Sequence, residues 1–147
     1  MVMGSGMVMV RTRKTNRRRG VVAVEAAIIF PILILLTLGG IKFGWLFLKA
    51  QQITNAARTG ARIAILPGVT VADDVLPAVN SLMTSAGMGG SDYTVTVTPG
   101  DPSMVESGGA VTVRITVPAA NVNIMPLPGF SDDWNLQGSV TMAKEGP

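Results

Sequence analysis

From Val21 to Ile41 the chain runs through 21 residues with a single charge, Glu25, and without alternation of apolar and polar positions. A helix crossing a ~30 Å hydrocarbon core needs about 20 mostly apolar residues. The backbone must be helical there, because unpaired peptide groups in lipid each cost several kcal/mol. The pattern therefore predicts a transmembrane helix. Lys42 interrupts it and Phe43–Leu48 is apolar again, so the anchor is assigned to residues 21–48. Pro31 and the Gly39-Gly40 pair are bends that membrane helices tolerate. A cleavable secretory signal has an apolar stretch of about 7–15 residues and a small-residue cleavage site. This stretch is longer, with no A-x-A pattern after it, which favours an uncleaved anchor.

The helical period continues past the anchor. Across residues 49–66 it sets Ile53, Ala57, Gly60 and Ala64 in one row, with Gln52, Arg58 and Arg62 mostly elsewhere. This predicts an amphipathic stalk continuing the anchor as one long helix. Pro67-Gly68 breaks it. The narrow face of Ala57, Gly60, Ala61 and Ala64 has two readings: it packs on the protein's own sheet, or it lets another subunit's helix approach closely. Beyond it, residues 67–147 read as a small α+β domain. Asp73 or Asp74 is placed to cap a second helix running to about Ala86, closed by Gly87, Gly89 and Gly90. Tyr93–Thr98 alternates strictly, Ala110–Val117 alternates again, and the two predict a hairpin across the turn residues 99–109. Residues 118–133 are irregular, and Leu136–Ala143 predicts a third strand. With about 80 residues outside the bilayer, the core is small. The expected fold is a long N-terminal helix packed on a small antiparallel sheet.

Charge changes the picture at the N-terminus. Residues 1–20 carry six basic residues (Arg11, Arg13, Lys14, Arg17, Arg18, Arg19) and no acid, leaving six basic and nine acidic residues for the rest. Arg17-Arg18-Arg19 abuts the apolar segment, where cytoplasmic Lys and Arg set orientation. Residues 1–20 are thus expected to be a basic cytoplasmic leader, with the C-terminal domain outside the membrane. A basic tail that binds nucleic acid is the rival reading, disfavoured because the body has no basic excess.

Candidate chemistry is sparse. The chain has no Cys and no His, which excludes disulfides, thiolate zinc sites and imidazole acid–base catalysis. Asp73-Asp74 and Asp132-Asp133 are paired carboxylates, one at a predicted helix start and the other in a loop, where caps and turns are the commoner roles. Asp101 and Glu106 lack the spacing of a calcium loop, and Gly87-Met-Gly-Gly90 lacks the Lys of a phosphate loop. Phe130 and Trp134 form either an exposed patch or core cover. No enzyme, cofactor or metal is expected. Glu25 stands apart, since a carboxylate in a membrane helix is costly. It either snorkels at the cytoplasmic interface or pairs with a positive group.

Arg17-Arg18-Arg19-Gly20 before Val21-Val22-Ala23-Val24-Glu25 resembles the processing site of prepilins. In that class a membrane aspartic peptidase cuts after the Gly, here between Gly20 and Val21, and the new amine and the Glu neutralise each other within or between subunits. The likeness extends through Phe30-Pro31, Phe43-Gly44 and Asn55-Ala56-Ala57-Arg58-Thr59-Gly60-Ala61-Arg62. Over residues 18–66 the chain resembles the TadE-like pseudopilins of the tight-adherence (Tad) branch of type IV pilus-like systems. Two positions depart from the pattern: Ala26 stands where an aromatic residue commonly follows the Glu, and Lys42 where an acidic residue is usual before Phe-Gly. The resemblance implies a pilin-like fold and a minor subunit that helps assemble or export Flp-type pili. Its implied partners are the bilayer, other pilin-like subunits, Tad platform proteins and a prepilin peptidase. The inner membrane is the expected location. The alternative is a membrane-tethered binding or adhesion domain without a pilus role.

Overall fold

The computed structural model describes residues 17–126 and 131–146, with side chains from Gly20 onward. The leader 1–16, the side chains of Arg17–Arg19 and the irregular residues 127–130, Phe130 included, lie outside the described residues. The chain divides into two compact units, Met1–Thr37 and Leu38–Pro147. Helix α1 (Arg17–Ala64) supplies the described part of the first and the opening element of the second.

In the first unit α1 is apolar on every side. Val21, Val22, Val24, Ile28, Phe30, Ile32, Ile34 and Leu36 are all more than half exposed, as expected of a helix whose solvent is lipid. Pro31 sits within it, and the Thr37 hydroxyl donates to Leu33 O at 2.8 Å.

The second unit is an α+β domain. After α1 come a π-helical turn (Val71–Val75), helix α2 (Leu76–Ser85) and strands β1 (Thr94–Thr98), β2 (Ala110–Pro118) and β3 (Asn135–Ala143). The strands form an antiparallel sheet in the order β1-β2-β3, with Val97 opposite Val113 and Ile115 opposite Gly138. Alternation in β2 turns Val111, Val113, Ile115 and Val117 to the core, all fully buried. They meet Leu46, Ile53, Ala56, Ala57, Ala61 and Ala64 of α1, and Val75, Val79, Met83 and Met88 from and around α2, in one cluster. At roughly 25 cal/mol per Å² of apolar surface removed from water, each buried Val, Leu or Ile contributes about 1.5–3 kcal/mol. The stripe on α1 is therefore what completes this small core.

The helical segments end and begin by hydrogen bonding. Helix α2 gives way to Gly87, whose φ of 70° lies in the left-handed region. The Gly87 N–H donates to Thr84 O and that of Met88 to Met83 O, pairing the last carbonyls while both methionines stay buried. At the start of this segment the cap is Thr70, whose hydroxyl accepts from Asp73 N at 3.1 Å. Asp73 and Asp74, the expected caps, occupy the first turn instead, and Asp74 accepts from Thr70 N at 2.9 Å. The segment therefore begins earlier than expected, because a π-helical turn precedes α2. Similarly α1 ends at Ala64 rather than Leu66, and the strands fall within about one residue of their expected bounds.

Strand β3 tracks α1. A Cβ on Gly138 would lie 2.9 Å from the backbone of Thr54 and 3.0 Å from that of Ile53, so strand and helix touch main chain to main chain. Gly138→Ala is expected to destabilise the domain by about 1–3 kcal/mol, the usual cost of overpacking a tight site. Thermal melting of the detergent-solubilised protein by circular dichroism checks this, and an unchanged midpoint would refute the close contact.

Candidate functional site

Two places carry chemistry that the core does not require. The first is the head of the membrane-type helix. Gly20, Val21 and Glu25 lie exposed on α1, with Val21 and Glu25 one turn apart on the same side. Val22, Ala26, Ile29, Phe30 and Leu33 surround Glu25 with apolar surface. Among the described residues no side chain pairs with Glu25. Gly20 is helical, and among the described residues a Cβ there would meet nothing within 4 Å. Glycine inside a helix costs roughly 0.5–1 kcal/mol relative to alanine, so the helix gains nothing from having it at this position.

The second place is the foot of the domain, where α1 enters it. Here the buried face of α1 carries Lys42 and Lys49 beside Leu46 and Ile53. Lys42 is only 2% exposed and its ammonium lies 2.9 Å from the Asp132 carboxylate. Asp132 also accepts from the Asn123 amide at 2.6 Å. One turn on, the Trp45 indole N–H donates to Val122 O at 2.8 Å. Lys49 places its ammonium 4.7 Å from the Trp45 ring centroid and donates to Ala86 O at the C-terminal end of α2. At the far end Lys144 donates to Leu66 O at 2.7 Å, just past the end of α1. Two helix C-termini, where orphan carbonyls concentrate negative charge, are thus each met by a buried lysine from elsewhere in the fold. Sequence reasoning missed this set. The available signal was the spacing: Lys42, Leu46, Lys49 and Ile53 fall on one helical face, so the lysines interrupt the stripe that faces the core.

The other expected sites fall as follows. Ala57, Gly60, Ala61 and Ala64 are buried within the domain, and a Cβ on Gly60 would lie 2.8 Å from Val79 and 3.3 Å from Val113. This row packs on the protein's own α2 and sheet, leaving no surface there for a second helix. Besides Gly20, the glycines that α1 leaves open are Gly39, Gly40 and Gly44, where an added methyl would meet nothing within 4 Å among the described residues. Asp133 accepts from the Ser131 hydroxyl. Asp101 caps a short helical turn, where the Ser103 hydroxyl and then its backbone N–H donate to the carboxylate and hold its pKa below the ordinary value. Among the described residues no three His, Cys, Asp or Glu side chains are grouped to hold a metal ion. Trp134 is 42% exposed, and Phe130 lies outside the described residues.

Removing the carboxylate at the foot isolates a charge from its principal counter-ion. Asp132→Ala is expected to cost about 1–3 kcal/mol, between the values for exposed and fully buried pairs. The double exchange Lys42→Asp with Asp132→Lys should recover part of the loss. Equal melting of Asp132→Ala and the parent protein would show that the pair is energetically idle.

The family model described as TadE-like protein matches residues 20–62, and so covers both the Gly20–Glu25 head and the foot of α1. The expected TadE-like resemblance therefore holds over this segment. No curated protein and no solved structure matches the chain.

Proposed function

We propose that this chain, TadE-like over residues 20–62, is a minor pilin-like subunit of a Tad-type assembly or secretion system. In this reading it is held in the inner membrane by α1, with the leader in the cytoplasm and the α+β domain outside. It is a structural part and not an enzyme. The observation that carries the reading is the Gly20–Glu25 pair at the head of α1, where the helix is apolar and exposed through Leu36. A glycine that costs helix stability and meets no tight contact among the described residues is available for recognition by an outside agent, and a prepilin peptidase is one that reads a glycine at a helix head. Cleavage after Gly20 frees the amine of Val21. A buried carboxylate is tolerable only with a charged or hydrogen-bonded partner, and such an amine, from this chain or a neighbouring subunit, provides one for Glu25. Gly40 and Gly44, open on α1, suit close approach by a neighbour's helix.

Two experiments test this. N-terminal sequencing of the membrane-extracted protein from cells with the matching peptidase should begin at Val21, and Met1 or an internal start elsewhere would remove the processing step. Glu25→Ala should leave membrane insertion intact or improve it while reducing co-purification with partner subunits. Unchanged co-purification and unchanged adherence would overturn the role given to Glu25.

The second reading is a tethered binding domain. It draws on the open polar face of the sheet, where Thr96, Thr98, Thr112 and Arg114 line a shallow depression. Loss of surface binding on Arg114→Ala, with pilus assembly intact, would favour it.

A further inference from the structure

The sheet has one face that the core does not use. Side chains alternate across each strand, so the buried valines and isoleucine of β2 face inward and the residues between them face out. The strand register lines these outer positions into cross-strand rows. One row is Thr96, Arg114 and Ser139, and the next is Thr98, Thr112 and Thr141. Arg114 is the only charged residue in the three strands. The Thr112 and Thr141 hydroxyls hold each other at 2.7 Å. By contrast, the side chains of Thr96, Thr98 and Arg114 make no hydrogen bond or ion pair among the described residues. With Thr112 these three line a depression of about 250 Å³. A lone guanidinium thus stands in the central strand, exposed, among hydroxyls and without a counter-ion.

The chemistry of the face selects a ligand. A guanidinium is a fork of donors without an acceptor, and its planar geometry suits a carboxylate. Each threonine hydroxyl beside it both donates and accepts, as the hydroxyls of a sugar ring do. Other partners find less here. The outer positions carry no aromatic or large aliphatic side chain, whereas the buried centre of a protein interface is apolar and rich in aromatics. A single cation is also too few for nucleic acid, whose binding rests on many phosphate contacts. The depression is smaller than the roughly 300 Å³ at which sites for drug-sized ligands begin, so it suits one unit of a longer chain. We propose that this face binds a carboxylate-bearing polysaccharide, with Arg114 on a uronate carboxylate and the Thr96 and Thr98 hydroxyls on the sugar ring. The inference rests on the tethered-binding reading of this face and names its ligand.

Calorimetric titration of the detergent-solubilised full chain tests this. The probes are oligogalacturonate, alginate oligomers, the methyl ester of oligogalacturonate and inorganic phosphate. The parent protein should bind the free acids. The methyl ester, and the acids with Arg114→Gln, should each bind weaker by about tenfold or more, the loss expected of one charge-assisted hydrogen bond. Melting of Arg114→Gln should match the parent, since the side chain is exposed. The six basic residues of the leader attract any polyanion, so acid binding that survives Arg114→Gln undiminished refutes the site. Ester binding as tight as that of the acid, or phosphate binding as tight as either, refutes the uronate. If neither acid binds while Arg114→Ala still abolishes surface binding by cells, the ligand class is refuted and the tethered-binding reading stands. If surface binding is also indifferent to Arg114, both fall.

Discussion

One helix has to meet two demands, an apolar surface long enough to cross a membrane and one wall of a folded domain, and the rest of the structure is arranged around them. Through its first unit α1 offers apolar side chains in every direction. From Lys42 onward one face must instead fill the core of a small domain. Burial of Leu46, Ile53 and the alanines of the same stripe gives the sheet the apolar cover it lacks, since three strands alone enclose little surface. The domain cannot be separated from α1 without losing one wall of its core.

A domain of this size without disulfides needs other ways to fix its elements in place. The buried lysines answer that need. Lys49 ties the end of α2 to α1, Lys144 ties the end of β3 to the end of α1, and Lys42 ties the β2–β3 connection to the point where α1 enters the domain. A cation at a helix C-terminus is worth typically 0.3–1 kcal/mol, and up to about 2 kcal/mol when partly buried. The gain is modest, but a lysine buried without its carbonyl or carboxylate is costly. Each lysine therefore penalises any arrangement in which its partner element has slipped, and register follows from that penalty.

Legibility in the sequence tracks the range of the interactions involved. The long helix and the three strands are readable because their signals are local: an uninterrupted apolar segment, and strict alternation in Tyr93–Thr98 and Ala110–Val117. The cap at Thr70 escapes notice because two adjacent aspartates offer a more conspicuous candidate, although Thr70 with Asp73 three residues on is itself a start signal. The lysine ties are hidden for a different reason. Their partners are Ala86, Leu66 and Asp132, far along the chain, and two of the three are backbone carbonyls that carry no side-chain signature. Gly138 is equally silent, since only the touching of two backbones reveals why a side chain is excluded there.

The contrast among glycines and small residues separates what the fold consumes from what it leaves over. Gly60, Ala57 and Ala61 are explained by contacts inside the domain, and so need no partner to account for them. Gly20, Gly40 and Gly44 stand in helical backbone with open space around them among the described residues, where alanine would serve the helix better. Glu25 belongs with them, an acid on an apolar surface without an internal partner among the described residues. All of these lie inside the segment that is TadE-like. Two kinds of residue are thus written on one helix: one set builds the domain, and the other makes no contact within it among the described residues.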